Sequence, residues 1–317
     1  MRWNEFLSAL TKKSTFWYLS PGLLWLALRY PPDIFVFISL QSLALQIGAG
    51  WLLAVLLFPL VKMRRYVWIH LAGIIALGIY LYPYAFPNQK WAVKTPTTQT
   101  FKALHLNVHG INTQHQRLID QVLAQEADLV TLIEVHHHWA KALQTSLKQT
   151  YPYSFVYPVD NAFSGIAIFA KYPLEKVAYI LNDEPPTVSG NILLPQGKVH
   201  FISTHTSAPI SQGRIGRRYR QLEKLAKEIK QNQDLPTLLL GDFNAVPWEH
   251  LIVDFKQRTQ MQETRTSLQV TFPTWALWMG IPIDYIFYSP QLRCYGNTIF
   301  QNTGSDHVGV VGEFAIN

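Results

Sequence analysis

Hydrophobic residues concentrate in the first third of this chain of 317 residues. Residues 34–61 and residues 66–87 each contain no Asp, Glu, Lys or Arg. Each stretch is longer than the roughly 20 residues needed to cross a hydrocarbon core. They predict two transmembrane helices. Residues 16–30 form a shorter apolar segment interrupted by Pro21 and Gly22. For this segment we predict a third span, with an interfacial segment as the alternative.

Basic residues set the expected orientation of these spans. Lys62, Arg64 and Arg65 lie between the two clear spans, and Lys12 and Lys13 precede the first candidate. The positive-inside rule places both groups in the cytoplasm, which requires three crossings and sends the rest of the chain outside. We therefore expect a multi-pass protein of a bacterial-type inner or plasma membrane with an extracytoplasmic C-terminal domain. If only two segments cross, one end of the chain would lie on the opposite side of the membrane from this assignment.

The domain organisation follows from a change in this pattern. Residues 1–87 form the membrane region, the polar stretch 88–100 a linker, and 101–317 a domain of ordinary soluble composition. In this domain, apolar runs predict strands at 101–106, 128–133, 154–156, 165–170, 176–181, 191–194, 199–203, 237–240, 283–288, 293–300 and 308–314, and helical spacing predicts helices at 113–126, 138–150 and 212–231. Many strands with few helices indicate two packed sheets with helices outside.

Charge and cysteine content narrow the function only slightly. The chain has a net charge of +7 and one cysteine, Cys294, which excludes an internal disulfide and a cysteine-based zinc site. Net basicity fits nucleic acid, acidic lipid or solubility alone. For the very basic helix 212–231 we expect a solvated face, with a contact to phosphate-rich or anionic membrane surfaces as the alternative.

Polar side chains follow several predicted strands directly. The most informative stretch is Leu240-Gly241-Asp242-Phe243-Asn244, where Gly241 permits a sharp exit from the strand. An Asp can hold a metal or take a proton from water, and an Asn can bond a phosphate oxygen without adding negative charge. A simple Asp/Asn turn is the plainer interpretation. The other clusters of this kind are Asn107, Glu134, His205, Asp284 and Ser305-Asp306-His307.

Acidic groups at strand ends predict a cation. Three of them would together concentrate negative charge: Glu134, Asp242 and Asp306. Such charge is costly on apolar strands unless it is paired or metal-bound, and carboxylate and amide oxygens suit magnesium. We then expect His205 and His307 to face a phosphoryl group, with Asp284 or Asp242 orienting an imidazole.

The order of these motifs is informative in itself. Along the chain they are Asn107, Glu134, Ser203-Thr204-His205, Gly241-Asp242-Phe243-Asn244, Ile283-Asp284-Tyr285-Ile286 and Ser305-Asp306-His307. In that order they resemble the endonuclease/exonuclease/phosphatase superfamily, which includes pancreatic-type DNases, apurinic endonucleases, neutral sphingomyelinases and inositol polyphosphate phosphatases. The resemblance covers 101–317, where Ser164-Gly165-Ile166-Ala167-Ile168-Phe169 looks like the family's central strand. It implies a four-layer α/β sandwich, two packed mixed β-sheets flanked by helices, here preceded by a transmembrane helical region.

The resemblance also implies a metal site and a reaction. Glu134 is the expected main ligand of Mg²⁺, with Mn²⁺ as an alternative, and Asn107 and Asp306 are expected close to the metal. Asn107 is also expected to contact the substrate. The implied reaction is in-line attack of water on phosphorus, with the cation stabilising the developing negative charge.

The remaining motif residues are expected to act on water and phosphate. Asp242 activates or positions the attacking water, helped by Asn244, which also contacts the substrate. His307 binds the scissile phosphate and is oriented by Asp284, while His205 contacts another phosphate oxygen. Two departures concern substrate contacts: Pro282-Ile283 stands where several relatives carry Arg or Trp, and Val308-Gly309 replaces a Cys-Pro or Tyr-Pro type of pair.

Two hypotheses follow for function. The first is a membrane-anchored, magnesium-dependent phosphoesterase acting on phosphodiester or phosphomonoester bonds of nucleic acid or of a lipid-linked substrate. The substrate and the bilayer are its expected partners, and no protein partner is inferred. The second is a catalytically inactive, membrane-tethered binding or scaffold module of the same fold. Such a module is expected to lack catalytic residues, whereas every matched motif position in this chain carries its expected residue.

Two other features invite a functional interpretation. His136-His137-His138 is expected to be a solvated turn rather than a zinc site, because consecutive histidines point in different directions. The apolar stretch Trp275–Met279 is expected to pack in a core, with a contact to lipid as the alternative.

Overall fold

The computed structural model describes residues 14–29, 34–60, 62–87, 99–160, 163–181, 185–301 and 304–317, so most of the expected linker lies outside the described residues. Its helices are α1 Ser14–Arg29, α2 Phe35–Ser42, α3 Ala44–Leu57, α4 Val67–Ala85, α5 His115–Leu123, α6 His137–Leu147, α7 Gln212–Gln231 and α8 His250–Thr259. Its strands are β1 Phe101–Asn107, β2 Leu129–Ile133, β3 Tyr153–Tyr157, β4 Ile166–Ala170, β5 Leu174–Leu181, β6 Thr187–Leu194, β7 Gly197–His205, β8 Thr237–Asp242, β9 Gln262–Glu263, β10 Asp284–Tyr288, β11 Leu292–Phe300 and β12 Gly309–Ile316. Short 3₁₀ helices span Arg64–Tyr66 and Thr274–Met279.

Two six-stranded sheets pack face to face. The first has the order β11-β12-β1-β2-β4-β3 and the second β5-β6-β7-β8-β10-β9, and both combine parallel with antiparallel neighbours. Apolar side chains of both sheets form one core between them. Helices α5 and α6 cover the outer face of the first sheet, and α7 and α8 cover that of the second. The expected four-layer α/β sandwich is confirmed.

The alternation of side chains along each strand explains where the polar residues of this domain lie. In β1, Phe101 and Ala103 point into the core between the sheets, so His105 and Asn107 face the same way. Strand β8 repeats the pattern, with Asp242 at the end of its core-facing row. The layer between the sheets therefore changes from apolar to polar toward one edge.

The N-terminal helices form a small bundle. Of the described helices, the one over Arg64–Ala85 is long and apolar enough to cross a membrane, judged by length and composition. Helices α2 and α3 reach such a length only together and are bent by 66°, so 34–61 is not one straight helix but breaks at Leu43. The apolar part of α1 is shorter, Leu19–Leu28.

The bundle packs against the sandwich at the loops that follow β8 and precede β10. Trp248 Nε1 donates to the carbonyl oxygen of Gln41 at 2.8 Å, and its ring meets that of Tyr84 edge to face. Gln46 Nε2 donates to the carbonyl oxygen of Met279. The break at Leu43 thus falls where α2 and α3 touch the sandwich. The shared apolar cluster comprises Leu24, Leu28, Ala44, Trp51, Leu77 and Leu81 of the helices and Val246, Trp248 and Ile283 of the sandwich.

Candidate active site

One rung of the second sheet holds three of the expected site residues. His205 at the end of β7 is paired in register with Asp242 at the end of β8, and Asp242 is paired with Asp284 at the start of β10. All three are buried. Strand pairing thereby fixes side by side three residues that are distant in sequence.

Gly241 permits the close approach of β7 and β8 next to this rung. A Cβ atom at this position would lie 2.1 Å from the backbone oxygen of Thr204, far closer than two non-bonded atoms can approach. The missing side chain therefore allows Thr204 and Gly241 to pair directly before His205 and Asp242.

His307 reaches from the edge of the first sheet to the second. Its backbone N–H donates to Ser305 Oγ, whose hydroxyl donates to the carbonyl oxygen of Asn107. His307 Nδ1 lies 2.8 Å from Asp284 Oδ2. The other oxygen of Asp284, Oδ1, lies 3.4 Å from His105 Nε2 on β1. Asp284 is therefore held between two imidazoles.

Asp242 presents one carboxylate oxygen to two histidines. Its Oδ2 lies 3.7 Å from His205 Nε2 and 3.8 Å from His307 Nε2, distances at which neither nitrogen makes a direct hydrogen bond. Its Oδ1 accepts the backbone N–H of Asn244 at 2.8 Å. Asn244 has a left-handed backbone, φ 46°, and its side chain donates to the carbonyl oxygen of Thr206.

Glu134 is fixed at the end of β2 by two hydrogen bonds. Its Oε1 accepts from Asn107 Nδ2 at 2.9 Å and its Oε2 accepts the backbone N–H of Gly110 at 3.0 Å. Its own backbone is left-handed, φ 63°, which is uncommon for a residue with a side chain. Asp306 stands further out: it is about a quarter exposed, and its Oδ1 lies 3.6 Å from His109 Nδ1.

Burial and neighbouring charges shift the pKa values of the central groups in different directions. Burial, followed by the charge of Asp284, raises the pKa of Asp242 to about 8. Burial alone would lower the pKa of His307, but the carboxylates of Asp284 and Asp242 outweigh it and raise this pKa to about 10. Burial and the charge of His307 lower the pKa of His205 to about 3. At neutral pH, His307 is therefore an imidazolium and His205 a neutral imidazole.

The two remaining buried carboxyls shift in opposite directions. Burial tends to raise the pKa of Asp284, but the adjacent imidazoles outweigh it and bring this pKa below its ordinary value. Burial raises the pKa of Glu134 despite its two hydrogen bonds, and the charge of Asp306 adds to the rise. A bound cation would favour the ionised form of Glu134.

Two sets of groups offer ligands for a metal ion. Ligand atoms of Asp242, Asp284 and His307 all lie within 4.8 Å of one another. The second set is the one that the sequence predicts, with carboxylates of Glu134 and Asp306 and the amide of Asn107. Each Glu134 oxygen accepts one hydrogen bond and keeps lone-pair capacity, and all-oxygen donors fit a hard cation such as Mg²⁺.

Two contacts at the site were not expected. His105 is fully buried against Asp284, and the signal for it was available, because it shares the inward face of β1 with Asn107. Phe272 places its ring 4.8 Å from that of His307. It lies in the long connection between β9 and β10, where no periodicity marks it.

The expected solvated face of the basic helix is wrong for one residue. Arg218 of α7 is fully buried and donates to the carbonyl oxygen of Asn244 and to the carboxylate of Glu249. This side of α7 packs on the loop that follows Asp242, so Arg218 holds that loop in place. Its neighbour Arg214 is exposed.

The three consecutive histidines do not converge on one point. His136 Nδ1 accepts the backbone N–H groups of His138 and Trp139 and so caps α6, while His137 faces Asp160. The segment begins a helix instead of forming a turn, because this cap satisfies N–H groups of the first helical turn.

Fold and site together define an α/β sandwich with paired Asp and His groups at one edge of its sheets. The sequence matches the model of the Endonuclease/Exonuclease/phosphatase family over residues 104–307. The chain therefore belongs to this family, whose members are phosphoester hydrolases, and the resemblance inferred from the motifs is confirmed. No curated protein sequence matches the chain.

Solved structures of several different proteins share the fold. The human nocturnin catalytic domain with bound sulfate is 20% identical with a TM-score of 0.58, over 69% of this chain and 95% of that one. D. rerio TDP2 humanised by 14 mutations is 15% identical with a TM-score of 0.58, over 69% and 100%. Sphingomyelinase C from Streptomyces griseocarneus is 15% identical with a TM-score of 0.51, over 68% and 99%. At these identities the likeness establishes the fold alone.

Proposed function

We propose that this chain is a membrane-anchored phosphoesterase that hydrolyses phosphodiester or phosphomonoester bonds with a divalent cation, Mg²⁺ first and Mn²⁺ second. The observation that carries the proposal is the position of Asp242, whose Oδ2 lies 3.7 and 3.8 Å from Nε2 of His205 and His307. A buried carboxyl group, a neutral imidazole and an imidazolium thus surround one point. Such an arrangement suits proton transfer beside a developing phosphoryl charge.

Each group has a distinct part in the proposed reaction. Above its pKa of about 8, Asp242 is a carboxylate and takes a proton from the attacking water through Oδ2, while the backbone N–H of Asn244 holds its other oxygen. His307, kept positive by Asp284, donates from Nε2 to a phosphoryl oxygen and stabilises the charge that builds there. His205 adds a hydrogen bond without adding charge.

The cation is proposed at Glu134, with Asp306 and Asn107 beside it. The alternative set is less suitable, because His307 Nδ1 and Asp284 Oδ2 already bond each other at 2.8 Å and a positive imidazolium repels a cation. When bound, the ion would stabilise negative charge on the phosphoryl oxygens.

The arrangement of the N-terminal helices supports anchoring in a bacterial-type inner or plasma membrane. The ends of α1 and α4 nearest the sandwich meet where Tyr80 donates to the carbonyl oxygen of Leu28. Lys62, Arg64 and Arg65 lie beyond the other end of α3, around a separate apolar cluster to which the sandwich contributes no residue. Basic residues at the end away from the sandwich favour an extracytoplasmic catalytic domain.

Replacing Asp242 tests the proposed chemistry. With full-length protein in detergent and a soluble chromogenic phosphodiester, we expect Asp242→Asn to lower the rate by about 100- to 10,000-fold, the usual contribution of general acid–base catalysis. We expect EDTA to abolish activity and added Mg²⁺ to restore it. Asp254→Asn on α8, which is exposed, is the control. Activity of Asp242→Asn equal to that of an active control would contradict the proposed role of Asp242, and inactivity of every protein, the wild type included, would favour the inactive scaffold.

A further inference from the structure

Large apolar side chains stand exposed on the sandwich. Among the described residues from 99 onward, those exposed by 61 to 84% are Ile111, Phe163, Ile210, Trp275 and Trp278. The two tryptophans are the most exposed, at 81% and 84%, and Met279 beside them is 48% exposed. We call these six residues the rim surface.

All members of the rim surface belong to connections at the edge of the sheets that carries the site. Ile111 follows β1 and Ile210 follows β7. Phe163 precedes β4, which starts opposite the end of β2. The segment Thr274–Met279 carries the other three, and its first N–H donates to the carbonyl oxygen of Asp306 at 2.8 Å. The exposed apolar groups therefore surround the entrance to the site.

The rim surface is continuous with the N-terminal helices. Gln46 on α3 donates to the carbonyl oxygen of Met279. Phe272 packs against the apolar cluster shared with the helices and lies 4.8 Å from His307, between ring centroids. Phe272 therefore links His307 to the apolar cluster that the sandwich shares with the helices that we propose to lie in the membrane.

Lys and Arg are scarce at the same edge, where Arg214 in the first turn of α7 is an exposed cation. In the part of the chain that the structure describes, the connections at this edge, 108–114, 134–136, 158–160, 163–165, 185–186, 206–211, 243–249 and 304–308, contain no Lys or Arg. In 264–283 the one basic residue is Arg265, which is buried against Glu263. A nucleic acid would need several Lys or Arg around the entrance to neutralise its phosphates, whereas an apolar rim with few cations suits contact with lipid.

We propose that the rim surface rests on the bilayer and that the substrate is a phosphoester carried by a lipid. The inference deepens the proposed function and depends on it. Indole rings favour the membrane–water interface, and clustered apolar exposure marks an interaction surface. With the rim on the bilayer, a lipid headgroup reaches His307 and Asp242 without leaving the interface.

Full-length protein in lipid nanodiscs provides the test, because both disc faces stay accessible. Three substrates are compared: the soluble chromogenic phosphodiester, the phosphatidylcholine, phosphatidylethanolamine and phosphatidylglycerol of the disc, and single-stranded DNA. The variant is Trp275→Ser/Trp278→Ser. The control is Tyr153→Ser, an exposed aromatic on β3 at the opposite end of the strand pairs.

We expect headgroup release by the wild type and by the control. The double variant should keep its activity on the soluble ester but lose about tenfold or more on lipid, because two indoles leaving the bilayer forfeit more than about 1.4 kcal/mol. Brominated lipids should quench the wild type more than the double variant, since the difference isolates these two indoles.

Three results would overturn the inference: equal quenching in both proteins, equal loss on the soluble ester and on lipid, or DNA cleavage sensitive to the substitutions without headgroup release. The last would assign the tryptophans to base stacking. Failure of the proposed function is seen separately, as wild type and Asp242→Asn equally inactive on the soluble ester.

Discussion

Asp242 and Asp284 occupy directly opposed positions of two antiparallel strands, where like charges destabilise a sheet. The site offsets this repulsion by giving the two carboxyls different neighbours. Asp284 lies between His307 and His105 and stays ionised, whereas burial raises the pKa of Asp242. Two identical side chains on one rung thus differ in pKa, which suits the roles proposed for them, one orienting an imidazole and one accepting a proton.

Asp284→Asn should reveal this division in the pH profile. In the wild type, the rate should rise as pH passes about 8, where Asp242 loses its proton, and fall as pH rises through about 10, where His307 loses its own. The amide keeps the shape but removes the negative charge, so we expect the alkaline limb to move down toward the ordinary 6.5. The measurement is kcat/KM against pH, with Asp254→Asn as control. If the alkaline limb stays at the same pH in Asp284→Asn, a group other than His307 determines it.

At the residue scale, the sequence motifs predicted which residues form the site, and strand pairing brings them together. His205, Asp242, Asp284 and His307 lie close together, because the first three end or begin a strand at the same edge and His307 lies just before β12 there. His105 shows the limit of such a pattern. Alternation along β1 predicts that its side chain points inward. Its contact with Asp284 is made across the two sheets, and the pattern of a single strand does not show which residues of the other sheet it will face.

Strands β7 and β8 must be unusually close for the site to form. Gly241→Ala would place a methyl group 2.1 Å from the Thr204 oxygen, so we expect a loss of about 3 kcal/mol in unfolding free energy, typical of overpacking, together with loss of activity. Gly213→Ala on α7 is the matched control, since no atom lies within 4 Å of its Cβ position. There we expect a gain of about 0.5–1 kcal/mol.

Chemical denaturation of both variants gives the comparison, because the midpoint and the slope together report stability. Equal stability of the two glycine variants would show that β7 and β8 can separate at this rung without cost.

Elements with strong periodicity were predictable and short ones were not. Helix α7 spans the predicted residues 212–231, since twenty residues with an apolar stripe leave little ambiguity. Helix α8 and the two-residue strand β9 were not predicted, because so few residues carry little periodic signal. The prediction that Trp275–Met279 packs in a core is contradicted for both of its tryptophans, which are exposed.

Across the whole molecule, the sandwich and the helices share buried surface. Val246, Trp248 and Ile283 are buried within a cluster that includes α1, α3 and α4. A fragment starting at Gln99 would expose part of this surface to water. We expect its thermal midpoint in detergent to lie about 4 °C or more below that of the full chain, because losing the burial of one large side chain costs about 2 kcal/mol.

Trp248→Ser sharpens this comparison. In the full chain it removes a ring packed on Tyr84 and a hydrogen bond to Gln41, so stability should fall. In the fragment it removes an exposed apolar group, so self-association, measured by light scattering, should fall. Equal midpoints for fragment and full chain would contradict the shared surface.

Sequence patterns could not foresee this contact. The polar stretch 88–100 predicts two separate units. Gln41 and Gln46 interrupt the apolar run 34–61, but the sequence does not show which residues they contact. Both bond to the sandwich, at His250 N–H and the Met279 carbonyl oxygen. Contacts between segments about 200 residues apart become visible only in three dimensions.

The packing of Phe272 between His307 and the cluster shared with the helices has a geometric consequence. With the helices in a bilayer, as we propose, their packing on the sandwich would fix the height of His307 above the membrane. The protein would then select substrates by how far the scissile phosphorus stands from the bilayer, and lengthening the spacer between a lipid tail and its phosphate would move the same bond away from the site.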